Sequence, residues 1–200
     1  MEIPSKEHCF HLMCEMAMMD HIAAHCMRVC HVALFLVDNL RPHTNLNRDL
    51  VQAAALLHDI TKTRSFDTQE NHAETAEHLL GDLGYPELGR IVGQHVQLDA
   101  YDAADVLSDV EIVNYADKRV LHDRVVSLDK RFDYIMGKYA VVSEDRKRIR
   151  LFAEKTAEVE KRVFDRLPLS PDALGGHLDP AIYAQDLKDY HAGCDSDTRQ

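Results

Sequence analysis

The sequence lacks the long hydrophobic run and the leader that would mark a membrane or secreted protein. It contains no stretch of 18 or more apolar residues, and its N-terminus has no basic flank followed by an apolar signal segment. A membrane-spanning helix needs about 20 mostly apolar residues, and a secretory signal needs both of those parts. We therefore expect a cytoplasmic protein with no membrane partner.

An excess of basic charge is also lacking. Lys and Arg number 23 against 34 Asp and Glu, which gives a net charge of −11 with neutral histidines. Duplex nucleic acid and anionic membranes attract positively charged surfaces, so neither is expected as the main partner. A local site for the phosphates of a small molecule remains compatible with this charge.

A disulfide framework is the third missing feature. The cysteines are odd in number and their spacing matches no such framework: Cys9, Cys14, Cys26, Cys30 and Cys194. Free thiols in a reducing compartment are the simplest interpretation, because disulfides persist mainly in oxidising compartments.

Runs of alternating β-branched residues are absent, so no strand is predicted. Helical periodicity dominates, and 46% hydrophobic with 28% charged residues is typical of a globular domain, so an all-α fold is predicted. The predicted helices cover residues 5–19, 21–40, 47–58, 69–80, 86–96, 108–138 with a break allowed near 122, 143–167 and 181–190. These form a core at 1–142, a C-terminal helical extension at 143–190 and a flexible tail at 191–200.

Local signals place several helix ends. Arg41-Pro42 ends the second helix, because proline cannot continue it, and Ser108 with Glu111 matches a capping box. The long amphipathic helix near the C-terminus either covers the core or forms the contact of a homodimer. Its apolar stripe consists of Ile149, Phe152, Thr156, Val159 and Val163.

Polar residues occupy core positions on four different predicted helices. They are His25, His72, His95 and Asp117. A lone histidine on an apolar face is usually a hydrogen-bonded core residue. Four such groups are harder to explain one at a time, since every buried polar group must be paired or bind a metal. A common centre satisfies all four together.

His58 and Asp59 complete this set, because they end the uninterrupted small and apolar run at residues 53–57. Imidazole and carboxylate ligands suit iron, manganese or zinc. Four histidines and two aspartates are too many for one octahedral ion that keeps open positions. The sequence therefore predicts two metal ions that share Asp59 as a bridge.

The other histidines are assigned to the surface or left open. Surface positions are predicted for His8, His11, His31, His43, His78, His122, His177 and His191. His21 lies one helical turn before His25 and could line the same cavity, where Arg28 is a further candidate for substrate binding.

The residues Leu56-Leu57-His58-Asp59-Ile60-Thr61-Lys62 resemble the signature of the HD superfamily of metal-dependent phosphohydrolases, with Thr61 in place of the usual glycine. The order His25, His58-Asp59, Asp117 is also similar to that superfamily, and the resemblance covers roughly residues 20–125. His72 and His95 resemble the two extra histidines of its HDIG-like, dinuclear branch. The resemblance implies an HD-domain helical bundle that binds two metal ions, most simply iron or manganese. His25, His58, Asp59 and Asp117 would hold one ion, and Asp59, His72 and His95 the other.

The resemblance also implies a reaction: a metal-activated hydroxide cleaves a phosphoester or phosphoanhydride bond of a nucleotide-like small molecule. Asp59 and Lys62 are the catalytic candidates, and Lys62 would neutralise the phosphate. The alternative for Lys62 is a solvated lysine at a helix end. Two other functions stay open, a mixed-valent di-iron oxygenase acting on a small polar substrate and a non-catalytic nucleotide-sensing module.

Overall fold

The computed structural model describes residues 2–40, 44–98 and 106–197, and side chains to residue 195. The predicted helix end at Arg41-Pro42, the surface position of His43 and the last three residues lie outside these ranges. The all-α fold is confirmed, and the described residues form one 3-10 helix (Pro171–His177) and ten α-helices. They are α1 (Lys6–Glu15), α2 (Asp20–Leu40), α3 (Arg48–Leu57), α4 (Lys62–Thr68), α5 (His72–Asp82), α6 (Pro86–Gly93), α7 (Asp109–Lys118), α8 (Leu128–Tyr139), α9 (Ser143–Phe164) and α10 (Pro180–Asp197).

Three helices form the centre of the fold. α2 packs against α3 and α7, and α3 also contacts α1 and α6. Nine of the ten residues of α7 are buried, and so are seven of the ten residues of α3. Helices that are apolar on all sides belong in a protein interior. Polar side chains in the buried part of these helices, such as Asn114 and Asp117 on α7, therefore face the inside of the protein, whereas Asp49 in the first turn of α3 is exposed.

Capping interactions set the ends that position the site. Ser108 and Glu111 form the predicted capping box at the start of α7. Asn47 begins α3 by accepting the backbone N–H of Leu50, and Asn71 begins α5 through the N–H of Ala73. Such caps satisfy N–H groups that have no partner inside the helix, and each contributes about 1 kcal/mol.

The segment predicted as one helix over 108–138 contains a short hairpin. α7 ends at Lys118, and strands β1 (Val120–Leu121) and β2 (Arg124–Val125) pair antiparallel before α8 begins. His122 lies in the two-residue turn with a φ of 57°, a left-handed conformation that a helix interior does not allow. The prediction of no strand was wrong here, and the allowed break at 122 is confirmed.

Helix α4 was not predicted. It follows the metal-ligand candidates directly and has no buried residue, so the hydrophobic periodicity that reveals other helices is missing. Gln69 ends it in a left-handed conformation, with a φ of 58°.

The C-terminal helices cover the core of the same chain. α9 packs against α7 and α8, and α10 against α1 and α2. Of the predicted stripe on α9, Ile149, Thr156, Val159 and Val163 are buried and Phe152 is half-buried. Helix α10 continues to Asp197, past the predicted end at residue 190.

One disulfide corrects the prediction of five free thiols. Cys14 of α1 is bonded to Cys194 of α10, across a sequence separation of 180 residues. Cys9, Cys26 and Cys30 are free and buried. The sequence gives no sign of this bond, because the two cysteines meet only when α10 packs against α1.

Helix α2 is the one helix in the described ranges that is long and apolar enough to cross a membrane. Its most apolar window has a mean hydropathy of 1.2, and 67% of that window is buried inside the fold. The packing of α2 against α3, α7 and α10 is that of a core helix.

Candidate metal centre

The structure brings all six predicted metal ligands together from five parts of the chain. His25 lies on α2. His58 caps the end of α3, and Asp59 follows it directly. The other three ligands lie, in chain order, at the start of α5, just after the end of α6 and in the last turn of α7. Those three are His72, His95 and Asp117. His72 is the most accessible of the six, with 23% of its side chain exposed.

One group of ligand atoms forms around Asp117. Its Oδ1 lies 2.9 Å from Nε2 of His25 and 3.8 Å from Nε2 of His58. One ligand atom from each of the three residues lies within 4.8 Å of the other two. That spacing is short enough for a single ion between them.

A second group forms around Asp59. Its Oδ1 lies 3.3 Å from Nε2 of His72 and 3.3 Å from Nε2 of His95. Its Oδ2 lies 3.5 Å from Nε2 of His58, which belongs to the first group. Asp59 thus stands between the two groups, where a bridging carboxylate would lie.

Backbone carbonyls orient three of the imidazoles. Nδ1 of His25 lies 2.7 Å from the oxygen of His122, and Nδ1 of His58 lies 2.8 Å from that of Ala55. Nδ1 of His95 lies 2.7 Å from the oxygen of Val92. A carbonyl oxygen can only accept, so each Nδ1 carries the proton and donates. Each Nε2 then keeps its lone pair for a metal, the arrangement found in most metal-binding histidines.

Within the part of the chain that the structure describes, two buried polar atoms at the centre find no hydrogen-bond partner: Nε2 of His58 and Oδ1 of Asp59. An unsatisfied buried polar atom costs about 1–3 kcal/mol, and native proteins keep few of them. A metal cation between these atoms would satisfy both. The residues therefore fit a bound metal, and their nitrogen and carboxylate donors suit iron, manganese or zinc.

Local electrostatics keep the carboxylates charged. Burial opposes ionisation of Asp59, but Lys62 and His58 hold the pKa of its carboxyl well below the ordinary value. Burial opposes ionisation of Asp117 too, and Lys118 and His25 lower its pKa in the same way.

Burial and nearby charged groups shift the pKa values of three imidazoles in different directions. Burial lowers the pKa of His25 and lowers that of His95 to about 4, against the effect of nearby carboxylates. Burial also acts to lower the pKa of His58, but Cys26 and Asp59 outweigh it and raise that pKa. His25 and His95 are therefore neutral near pH 7, the form that binds a metal, and His58 lies where the local field attracts positive charge.

Three cationic side chains surround the carboxylates. Nζ of Lys62 lies 2.6 Å from Oδ2 of Asp59, and Nζ of Lys118 lies 2.5 Å from Oδ2 of Asp117. Arg131 of α8 approaches Oδ1 of Asp117 at 3.4 Å, and its buried Nε has no hydrogen-bond partner among the described residues. Arg131 comes this close to Asp117 because the hairpin turns α8 back towards α7.

The predicted substrate-binding residues lie in different places. Lys62 is at the centre and 28% exposed. His21 is exposed, one turn before His25, and no described contact joins it to the centre. Arg28 stacks on the ring of Tyr183 at 3.7 Å and donates to the backbone oxygen of Asp123 at 2.9 Å. Its guanidinium therefore supports the turn whose neighbouring carbonyl orients His25.

The remaining histidines follow the predictions with one exception. His8, His11, His78, His122, His177 and His191 are exposed as predicted. His31 was predicted to face solvent, but it is buried and its Nε2 lies 2.9 Å from Oδ2 of Asp186. Helix α10 supplies that partner and covers the face of α2 that local periodicity would leave to water.

Comparisons with known proteins agree with this centre. The family model described as HD domain matches residues 22–126, just over half of the chain. All six ligand candidates lie within the matched residues. Searches of curated proteins and of solved structures yield no match.

Proposed function

Because the chain belongs to the HD domain family, we propose that it is a metal-dependent phosphohydrolase of the dinuclear, HDIG-like branch. It would cleave a phosphoester or phosphoanhydride bond of a nucleotide-like small molecule. The observation that supports this most is the convergence of six ligands on one buried centre, in two groups linked by the 3.5 Å approach of Asp59 Oδ2 to Nε2 of His58. A mononuclear site would leave His72 and His95 unexplained.

In this proposal the chain holds two metal ions. His25, His58, Asp59 and Asp117 would bind one of them, and Asp59, His72 and His95 the other. Iron or manganese is the proposed identity, given nitrogen and oxygen donors. When bound, the ions supply Lewis-acid activation of a water molecule and neutralise phosphate charge.

The substrate would enter beside His72 and Lys62, the two most accessible side chains of the centre. Lys62 can turn from Asp59 to a phosphate oxygen, because its ammonium already lies at the edge of the buried site. Positioned cations of this kind stabilise the negative charge that develops during phosphoryl transfer. Asp59 would act through the water that the centre activates, as its carboxylate is held ionised.

Lys118 has a different proposed role from that of Lys62. It is buried and also donates to the backbone oxygen of His95 at 2.8 Å. It joins Asp117 of one ligand group to the loop that carries a ligand of the other. We assign it a positioning role, because it has no open path to a substrate.

The proposed partner is a small phosphorylated molecule, with neither duplex nucleic acid nor membrane as an additional one. Cytoplasmic location is proposed as well, and the Cys14–Cys194 disulfide is the one observation against it, because such bonds are rare in reducing compartments. Homodimer formation is proposed too, although α9 already covers α7 and α8 of the same chain. Cell fractionation and the mass of the protein in solution test these two points.

The decisive experiment combines metal analysis with a phosphate-release screen over nucleotides and dinucleoside polyphosphates. We expect two ions per chain and metal-dependent release of phosphate. Asp59→Asn keeps the size of the side chain but removes the bridging charge, so it should lose both properties. Asp67→Asn, an exposed position on α4, is the matched control and should retain both.

The same assay separates the competing functions. Oxygen consumption with a mixed-valence iron signal and no phosphate release would identify a di-iron oxygenase, whose ligands would be much the same. Tight binding of an unaltered nucleotide would identify a sensor. Full activity of Asp59→Asn would contradict the proposed mechanism directly.

A further inference from the structure

A cysteine stands next to the ligands of the first metal position. Cys26 follows His25 on α2 and is fully buried. Its Sγ, a ring nitrogen of His58 and a carboxylate oxygen of Asp59 all lie within 4.8 Å of one another. These three residues form a potential metal-binding group in addition to the two groups of histidines and aspartates.

The other free cysteines show what a purely structural thiol does in this fold. Cys9 donates to the backbone oxygen of Pro4 and Cys30 to that of Gln52, each at 3.9 Å. The thiol of Cys26 instead faces His58 and Asp59. A buried cysteine is usually a small apolar side chain, but this one is placed among charged and polar groups.

A second observation points to a ligand at the same position. Nε2 of His58 and Oδ1 of Asp59 are buried and have no hydrogen-bond partner among the described residues. A cation that satisfied His58 and Asp59 would lie within reach of the sulfur as well. The same ion would then have a soft donor beside its nitrogen and oxygen donors.

We propose that Cys26 is a thiolate ligand of the metal ion bound by His58 and Asp59. This rests on the proposed metal centre. Coordination forms a metal–sulfur bond and releases the thiol proton to solvent, so no oxidant or reductant is required. Thiolate favours zinc and iron(II) over manganese, since manganese prefers oxygen donors. The chain would then select a softer metal than its histidines and aspartates alone imply.

The test uses the full-length protein with cobalt(II) as a spectroscopic probe. A cobalt–thiolate bond produces an intense near-ultraviolet charge-transfer band that nitrogen and oxygen ligands do not produce. Cobalt bound per chain, measured by equilibrium dialysis, shows separately whether the centre forms. We expect cobalt to bind with this band in the wild type.

Two variants separate the sulfur ligand from general effects of losing a thiol. Cys26→Ser should still bind cobalt but lose the band, and its zinc affinity should fall at least about tenfold, the smallest loss typical of outer partners of a metal site. Cys30→Ser, one turn further along α2 with its thiol directed to Gln52, should keep both. A band that persists in Cys26→Ser would overturn the proposal.

X-ray absorption of the zinc-loaded wild type gives a readout that needs no variant. A sulfur neighbour at about 2.3 Å from zinc is expected. Zinc bound with only nitrogen and oxygen neighbours would refute the thiolate ligand and leave the phosphohydrolase proposal standing. Failure of the wild type to bind cobalt, zinc, iron and manganese alike would overturn both proposals together.

Discussion

Arg119 is the largest fully buried side chain among the described residues, and its removal should destabilise the segment behind the candidate metal centre. Its Nη1 donates to the hydroxyl of Tyr115 at 2.6 Å and to the carboxylate of Glu160 at 2.9 Å. Its other nitrogens donate to the backbone oxygens of Val126 and Pro171, at 2.8 and 2.9 Å. One guanidinium therefore joins α7, the end of the hairpin, α9 and the chain that precedes α10.

The proposed change is Arg119→Met, which keeps an unbranched apolar side chain and removes the charge. Breaking a buried ion pair typically costs about 3–5 kcal/mol. Glu160 is 22% exposed and can recover some hydration, so we expect the low end, about 3 kcal/mol. For a chain of this length each kcal/mol lowers Tm by roughly 2–4 °C, so Tm should fall by about 6–12 °C.

Urea unfolding followed by circular dichroism measures the loss. Arg148→Met is the matched control, because Arg148 lies exposed on α9 and pairs only with Asp145 in the same helix turn. That change should stay within about 0.5 kcal/mol. In a double-mutant cycle Arg119 and Glu160 should show a coupling of about 0.5–3 kcal/mol. Equal losses for Arg119→Met and Arg148→Met, or a coupling of zero, would refute the reasoning.

Three further predictions concern packing, pH and phosphate binding. Gly89→Ala should lower the free energy of unfolding in urea by about 1–3 kcal/mol, because its Cβ would lie 2.6 Å from a backbone oxygen of α5. Gly81→Ala is the control: its Cβ would meet no described atom within 4 Å, so the free energy of unfolding should rise by up to about 1 kcal/mol. Burial acts to raise the pKa of Asp186, but its hydrogen bonds with a histidine of α2 and a lysine of α1 lower that pKa below the ordinary value of 3.8. Asp186→Asn should therefore cost about 2 kcal/mol at pH 7, and this difference should shrink as pH falls through the lowered pKa; a constant difference from pH 7 to pH 3 would contradict it. Lys62→Met should lower kcat/KM for phosphate release about 100-fold while metal content stays unchanged. Lys130→Met, at an exposed position, is the control. Unchanged kinetics in Lys62→Met would show that Lys62 has only a structural role.

The helices that position the ligands could be predicted because the protein interior imposes a period on the sequence. A helix that packs on one side repeats its apolar residues every three or four positions, and a polar residue within that stripe is conspicuous. His25, His72, His95 and Asp117 were found in this way, and the structure brings all four to one centre. The uninterrupted apolar run before His58 predicted burial because a helix that is apolar on all sides belongs in the interior.

The features that the sequence did not reveal depend on partners far away along the chain. His31 is buried because Asp186 of α10 pairs with it, and Cys14 is oxidised because Cys194 lies beside it. Arg131 approaches Asp117 because the hairpin reverses the chain. A local pattern carries no information about such contacts, since it describes only neighbours within one or two helical turns.

The spread of the ligands over five parts of the chain has a consequence for how the protein is made. At about 5–20 residues per second, the ribosome needs on the order of ten seconds to pass from His25 to Asp117. For most of that time α2, the one described helix long and apolar enough to cross a membrane, lacks α7, which covers part of its buried face. A nascent chain therefore cannot complete the candidate metal site before Asp117 is made, and part of the apolar face of α2 stays uncovered until then. A metal ion held by all six candidate ligands would therefore bind only after Asp117 has been synthesised.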